Sequence, residues 1–150
     1  MSLALIAVPL LLLHAVTVTP ATLPARGRQE AIVKLDGAAM VRLSARSASG
    51  TSCVVVDHVR GPFANSGVAG KSNCELDLLL DAGTYKLRLL SKLKAKGQVK
   101  LEATPFAEVN APLQRLEPRT SLEQQLHPAQ QASYWLRLDK RAPVALRVSG

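Results

Sequence analysis

Apolar and polar residues alternate with a period of two through much of the chain after residue 26. The segments MVRLSAR (40–46), TYKLRLL (84–90) and GQVKLEA (97–103) each place apolar side chains on one face. Such alternation is typical of antiparallel strands that bury one face and expose the other. The pattern therefore predicts an all-β, antiparallel β-sandwich. Its predicted inward side chains are Val41, Leu43 and Ala45; Tyr85, Leu87 and Leu89; and Val99, Leu101 and Ala103.

Two further segments, CVVVD (53–57) and CELDLLL (74–80), are more continuously apolar and are interpreted as central strands. The stretch between them, RGPFANSGVAGKSN (60–73), is rich in Gly, Ser and Asn and predicts a long loop. In LDAGTYKLRLL (80–90), Gly83 permits a tight turn and two strong strand formers follow it. The sandwich is expected to span residues 26–109.

A weak internal similarity joins residues 31–47 to residues 134–150, at a constant offset and without gaps. We interpret it as a repeat, so residues 132–150 are expected to form the first hairpin of a second, similar β-sandwich. The Pro- and Gln-rich residues 110–131 are interpreted as a linker or edge segment. Two alternatives stay open: a chance similarity, and a last hairpin that completes the first sheet. An incomplete second sheet would leave an open edge for a protein partner.

The amino terminus has the pattern of a targeting segment. Residues 3–18 form a nearly continuous apolar run, which is short for a membrane-spanning helix but suits a signal peptide. Two small-residue exits follow, so residues 1–25 are predicted to be a signal peptide, and the mature chain to begin near Thr22 or Arg26. An uncleaved anchor is the alternative, because no Lys or Arg precedes the run. The protein is expected to be secreted, periplasmic or on the cell surface.

Composition adds one covalent constraint. Aromatic residues make up only 3% of the 150 residues, so the core must consist mostly of Leu, Val and Ala. The two cysteines, Cys53 and Cys74, would lie in an oxidising compartment, where an even number favours a disulfide. A metal site would need further ligands at short spacing, and the sequence offers none. The pair is therefore predicted to form one disulfide, and no metal is expected.

No motif for catalysis or for cofactor binding stands out in the sequence. His58 and His127 belong to no recognisable triad pattern, so no catalytic residue, no cofactor and no enzymatic activity are expected. A Ca²⁺ site with oxygen ligands is the one alternative, and a solvated strand face accounts for the same residues. The carboxylates that such a site would use are Asp57, Glu75, Asp77 and Asp81.

The formal net charge of +8 is most concentrated in SKLKAKGQVK (91–100), around a predicted hairpin turn at Gly97. Interleaved aromatic residues are absent, which argues against single-stranded nucleic acid as a specific partner. The segment is interpreted as a weak binding site for an anionic cell-surface glycan or lipid, with a solvated hairpin as the alternative. Otherwise, membrane contact is expected only through the signal segment. The candidate binding residues are Lys92, Lys94, Lys96 and Lys100.

The segment LDAGTYKLRLLSKLKAKGQVKLEA (80–103) resembles the end of the bacterial pre-peptidase C-terminal (PPC) domain, a small jelly-roll-like β-sandwich. That family typically ends with Ala-Gly-Thr-Tyr, an alternating strand, a Gly-containing turn and a last strand. The first four residues correspond to Ala82, Gly83, Thr84 and Tyr85. The resemblance implies a secreted, non-catalytic accessory module that helps targeting or substrate binding, and it supplies no catalytic residue.

The expected function is a non-catalytic, surface-binding or structural module of a larger exported bacterial protein. Two alternatives differ in the protein of which the module is a part. The first is an accessory amino-terminal region of an exported hydrolase or peptidase. The second is a macroglobulin-like scaffold of serial β-domains.

Overall fold

The computed structural model of the chain describes residues 15–110, 112–141 and 143–149. Most of the predicted signal peptide, residues 1–14, lies outside the described residues. The regular structure within those ranges consists of strands without helices, which confirms the predicted all-β fold. The chain divides into two compact units, with the boundary between Phe106 and Ala107.

The first unit is a β-sandwich of two antiparallel sheets. One sheet has the strand order β1-β3-β8-β5-β6 and the other the order β2-β9-β4-β7. The strands in chain order are β1 (Val16–Thr19), β2 (Thr22–Pro24), β3 (Arg28–Leu35), β4 (Ala39–Arg46), β5 (Ser52–Asp57), β6 (Gly61–Ser66), β7 (Cys74–Leu80), β8 (Gly83–Leu90) and β9 (Gln98–Pro105).

The core lies between the two sheets and follows the predicted alternation. In β4, β8 and β9 the predicted inward side chains are buried, except for Ala103, which is half-buried and packs against the core. Polar side chains on the same strands, such as Lys86 and Lys100, are exposed. The period-two pattern therefore identified the buried face of each strand, because successive side chains of a strand point to opposite faces.

The predicted disulfide between Cys53 and Cys74 is present, with the two Cα atoms 5.6 Å apart. Since Cys53 lies in β5 and Cys74 in β7, the bond crosses the core and joins the two sheets. The stretch between the cysteines is not one long loop, because residues 61–66 form β6 and pair with β5. A register shift between Val55 and Val56 marks an irregularity in that pairing.

The position of two strands differs from the prediction. CELDLLL forms β7, which lies at an edge of its sheet, whereas CVVVD lies within β5, between β8 and β6. The segments on either side of residues 36–38 do not form a hairpin, because β3 and β4 belong to different sheets. The same holds for β8 and β9, so no hairpin turn exists at Gly97. Alternation fixes which face a strand buries, but it does not say which sheet the strand joins.

The sandwich begins earlier than the predicted start at residue 26. β1 pairs with β3, β2 pairs with β9, and Ala25 is 1% exposed within the core. Val16 and Val18 alternate with exposed threonines and pack against the core. From the sequence, this short strand was assigned to the predicted signal peptide, because its valines continue the apolar run of residues 3–18.

In the second unit, residues 107–110, 112–141 and 143–149 are described, and they form four two-residue strands in two parallel pairs. β10 (Ala107–Glu108) pairs with β12 (Gln130–Gln131), and β11 (Gln114–Arg115) pairs with β13 (Tyr134–Trp135). Burial acts to raise the pKa of Glu108, but hydrogen bonds from Ser133, Asn110 and Gln131 together outweigh it and lower that pKa. In the part of residues 136–149 that the structure describes, no strand is formed, so the expected antiparallel hairpin over 132–150 is not observed. Two strands alone bury too little apolar surface to be stable.

Candidate functional site

Four loops meet at one end of the sandwich, which we call the basic end. They comprise residues 25–27, 47–51, 67–73 and 91–97, and each carries the chain from one sheet to the other. They meet because the strands that they join end side by side. The register shows this, since Arg28 of β3 and Ser52 of β5 both pair with Leu90, the last residue of β8.

The basic end carries positive charge without compensating negative charge. Its four loops contain no Asp or Glu. In the part of the chain that the structure describes, none of the basic side chains of these loops forms an ion pair. Unpaired cations that converge from separate loops add their fields and attract anions. The exposed basic residues of the four loops are Arg26, Lys71, Lys92, Lys94 and Lys96.

Backbone hydrogen bonds fasten two of the loops to each other. The Ser91 amide donates to the Gly27 carbonyl at 2.9 Å, and the Ala25 amide donates to the Gly97 carbonyl at 3.0 Å. Within the 91–97 loop, the Ala95 amide donates to the Lys92 carbonyl at 3.0 Å and closes a turn. Arg26 and the three lysines of the 91–97 loop are therefore held on adjacent segments.

The other two loops are joined in the same way. The Gly70 amide donates to the Gly50 carbonyl at 3.1 Å, and the Ser47 amide donates to Asn73 Oδ1 at 2.9 Å. Gly50 has a positive φ of 81°, and a Cβ atom there would lie 2.8 Å from the Ser72 amide nitrogen. Only glycine fits this approach without displacing the backbone. Lys71 is thereby fixed beside the 47–51 loop.

A buried chain of hydroxyl groups connects the two pairs of loops. Thr51, which is 0% exposed, has its Oγ1 atom 2.8 Å from Ser91 Oγ and 2.8 Å from Ser47 Oγ. Above this chain, the Lys92 side chain passes over Gly70, where a Cβ atom would overlap it. The contact places the cations of the 67–73 and 91–97 loops next to each other.

Exposed apolar side chains lie among the cations. Leu93 is 84% exposed and Val68 is 51% exposed. Leu93 lies beside the 25–27 loop, since a Cβ atom at Gly27 would be 3.6 Å from Leu93 Cδ2. The basic end therefore offers both positive charge and accessible hydrocarbon.

The structure redistributes the predicted binding residues. Lys92, Lys94 and Lys96 lie in a loop between sheets and not on one side of a hairpin. Lys100 lies apart from them on the outer face of β9, opposite Arg46 of β4. Arg26 and Lys71 were missed by the sequence analysis. Each is a single cation in an otherwise neutral loop, and the topology alone brings it to the 91–97 segment.

The opposite end of the sandwich has acidic residues, among them Asp36, Asp57 and Asp81. The Asp57 carboxylate accepts the Arg60 and Val59 amides at 2.9 and 2.6 Å, and these hydrogen bonds lower its pKa. A cleft of about 310 Å³ lies here between residues 57–63 and 79–85. The charged residues of the basic-end loops are therefore all cations, whereas the opposite end carries Asp36, Asp57 and Asp81 together with Arg60.

The four carboxylates considered for Ca²⁺ do not form one cluster: Asp57 and Asp81 line the cleft, whereas Glu75 and Asp77 lie on β7. The Asp77 carboxylate accepts hydrogen bonds from Nε and Nη2 of Arg42, at 2.7 and 2.6 Å. These hydrogen bonds lower the pKa of Asp77. Glu75 lies next to Arg42 and Arg46. Glu75 and Asp77 both lie on the outer face of β7. Asp57, in contrast, accepts hydrogen bonds from the Val59 and Arg60 amides at the end opposite the basic end. Ion pairing on a solvated face accounts for Glu75 and Asp77.

No family model and no curated protein matches this chain. Within the described ranges, the structure has no helix with the length and hydropathy of a membrane span.

Proposed function

We propose that the chain is a non-catalytic binding module of an exported protein and attaches to an anionic surface through its basic end. One observation carries the proposal: five exposed cations lie on three loops at the basic end, and those loops hold no acidic residue. A cluster of four to eight cations near an anionic surface contributes about 1 kcal/mol for each Lys or Arg. The cluster on this end is therefore large enough for measurable attachment.

The loops are prepared for binding before the partner arrives. Backbone hydrogen bonds and the Thr51–Ser91 contact hold them together in the free molecule. Preorganised groups lose less conformational freedom on association than mobile ones do. This supports a binding surface over a solvated patch of independent lysines.

The composition of the basic end supports a non-catalytic role. Its four loops contain no Asp, Glu, His or Cys. General acids and general bases come mostly from His, Glu and Asp, and a Ser or Thr nucleophile needs such a base beside it. Lys and Arg alone bind and orient an anion without taking its protons at neutral pH.

Export is supported by two independent features. The apolar residues 3–15, which precede β1, have the pattern of a signal peptide. The Cys53–Cys74 disulfide suits an oxidising compartment. The likeness of residues 80–103 to the PPC domain agrees with both, and it favours an accessory module.

Charge reversal tests the proposal. The variant Lys92→Glu/Lys94→Glu/Lys96→Glu should bind dextran sulfate and vesicles of phosphatidylglycerol and phosphatidylcholine at least about a hundredfold more weakly, from about fivefold for each cation lost. Binding of the unaltered chain should also weaken as salt is raised, since salt screens exposed charges. Affinity is measured by cosedimentation and on a dextran sulfate column.

The matched control is Lys34→Glu/Arg60→Glu/Lys86→Glu, which changes the net charge equally at exposed positions of the first unit outside the four loops of the basic end. This control should keep most of the affinity. If both triple variants lose affinity equally, the attraction comes from net charge and the proposal fails. If neither loses affinity, the basic end is not the binding site.

A further inference from the structure

Among the residues of the first unit that the structure describes, the most exposed leucine lies in the lysine-rich loop of the basic end. Leu93 is 84% exposed and is flanked in sequence by Lys92 and Lys94. The turn closed by the Ala95 amide and the Lys92 carbonyl presents Leu93 at the end of the sandwich. An apolar side chain in this position stays in contact with water unless a partner covers it.

We propose that the surface bound by the basic end is an anionic lipid bilayer, into which Leu93 inserts. The inference rests on the proposed function, because it specifies the partner of the same site. Acidic headgroups would neutralise the cations, while the boundary between headgroups and acyl chains would accept the leucine. Val68, which is 51% exposed on a neighbouring loop, adds a second apolar contact.

A bilayer fits this arrangement better than a soluble acidic polysaccharide does. A polysaccharide supplies negative charge but no hydrocarbon, so Leu93 would remain hydrated and contribute nothing. Lysine side chains suit the boundary as well, because their carbon chains lie against apolar material while the ammonium groups stay in water. Membrane contact would then involve the folded domain, in addition to any contact through residues 3–15.

The Leu93→Ser variant tests the apolar contribution. Its affinity for vesicles of equimolar phosphatidylglycerol and phosphatidylcholine should fall about tenfold, the effect of withdrawing a largely buried leucine from hydrocarbon. Its affinity for dextran sulfate should not change. The matched control is Val59→Ser, at a 79% exposed position on the opposite end, which should alter neither affinity.

A fluorophore provides a readout that does not depend on how residues 3–15 behave. Both native cysteines are in the disulfide, so a Leu93→Cys variant has one free thiol for an environment-sensitive dye. The dye at position 93 should shift to the blue with anionic vesicles and not with dextran sulfate. The same dye in a Val59→Cys variant should not shift.

The outcomes separate the two proposals. A missing blue shift at position 93, or an equal shift at position 59, overturns the membrane inference. If Lys92→Glu/Lys94→Glu/Lys96→Glu still abolishes binding in that case, the proposed function stands, and the partner is an acidic glycan or protein. If Leu93→Ser weakens vesicle and dextran sulfate binding equally, the leucine acts on the shape of the loop and the inference is likewise overturned.

Discussion

At the scale of single residues, Thr51 is the buried polar side chain that joins the 47–51 loop to the 91–97 loop of the basic end. It is fully buried, and its hydroxyl meets the hydroxyls of Ser47 and Ser91. We expect Thr51→Val to lower the free energy of unfolding by about 1–3 kcal/mol, because buried Ser91 then loses its partner while the shape of the side chain is kept. Urea denaturation measures the loss.

The control for Thr51 is Thr84→Val, the same change at an exposed position of β8. It should alter the free energy of unfolding by less than about 0.5 kcal/mol. Equal effects of the two substitutions would show that the hydroxyl chain contributes nothing.

Residue by residue, the sequence was informative about burial and uninformative about buried polar contacts. Val41 and Leu87 could be assigned to the core, because a strand with one buried face must alternate. Thr51 could not be assigned, since its partner Ser91 is 40 residues away and nothing local marks the pairing. The disulfide was predictable, because two cysteines allow only one intramolecular pair.

At the scale of elements, β1 and β2 decide where a leader can be removed. Both strands pair within the sandwich, and Ala25 behind them is buried. If the exported protein is processed, we expect cleavage at or before Ala15, since a start at Thr22 or Arg26 would remove one or both strands. Amino-terminal sequencing of the exported protein checks this.

The urea stability of truncated chains tests in a second way whether β1 and β2 belong to the folded domain. A chain that begins at Arg26 should unfold at lower urea than one that begins at Ala15, because Val16 and Val18 no longer cover the core. Equal stability of the two, or an exported chain that begins at Arg26, would place β1 and β2 outside the functional fold.

The existence of the strands could be predicted, whereas their partners could not. CELDLLL was expected to be central because it is more continuously apolar than the alternating segments, yet β7 lies at an edge of its sheet. Its outward Glu75 and Asp77 are the edge signal, since charged side chains are typical of exposed edges. The order of strands depends on contacts between distant segments, and a local pattern does not contain them.

At the scale of the whole molecule, the charged residues of the basic-end loops are all cations, whereas the opposite end of the first unit carries carboxylates together with Arg60. Lys92, Lys94 and Lys96 could be recognised as a basic cluster from the sequence, because they lie at alternate positions of one short segment. Arg26 and Lys71 could not, because their nearness to that segment follows from the way the four loops cross between sheets. The sequence therefore identified three of the five cations of the candidate site, and the other two could be identified only from the fold.

Hydrogen–deuterium exchange of the chain, with and without phosphatidylglycerol vesicles, tests most directly whether the basic end is the binding surface. With vesicles, we predict slower amide exchange in the 25–27, 67–73 and 91–97 loops. Exchange at residues 58–60 and 81–82 of the opposite end should not change. Protection confined to the opposite end or to the second unit, or no protection in the 91–97 loop of vesicle-bound protein, would contradict this prediction.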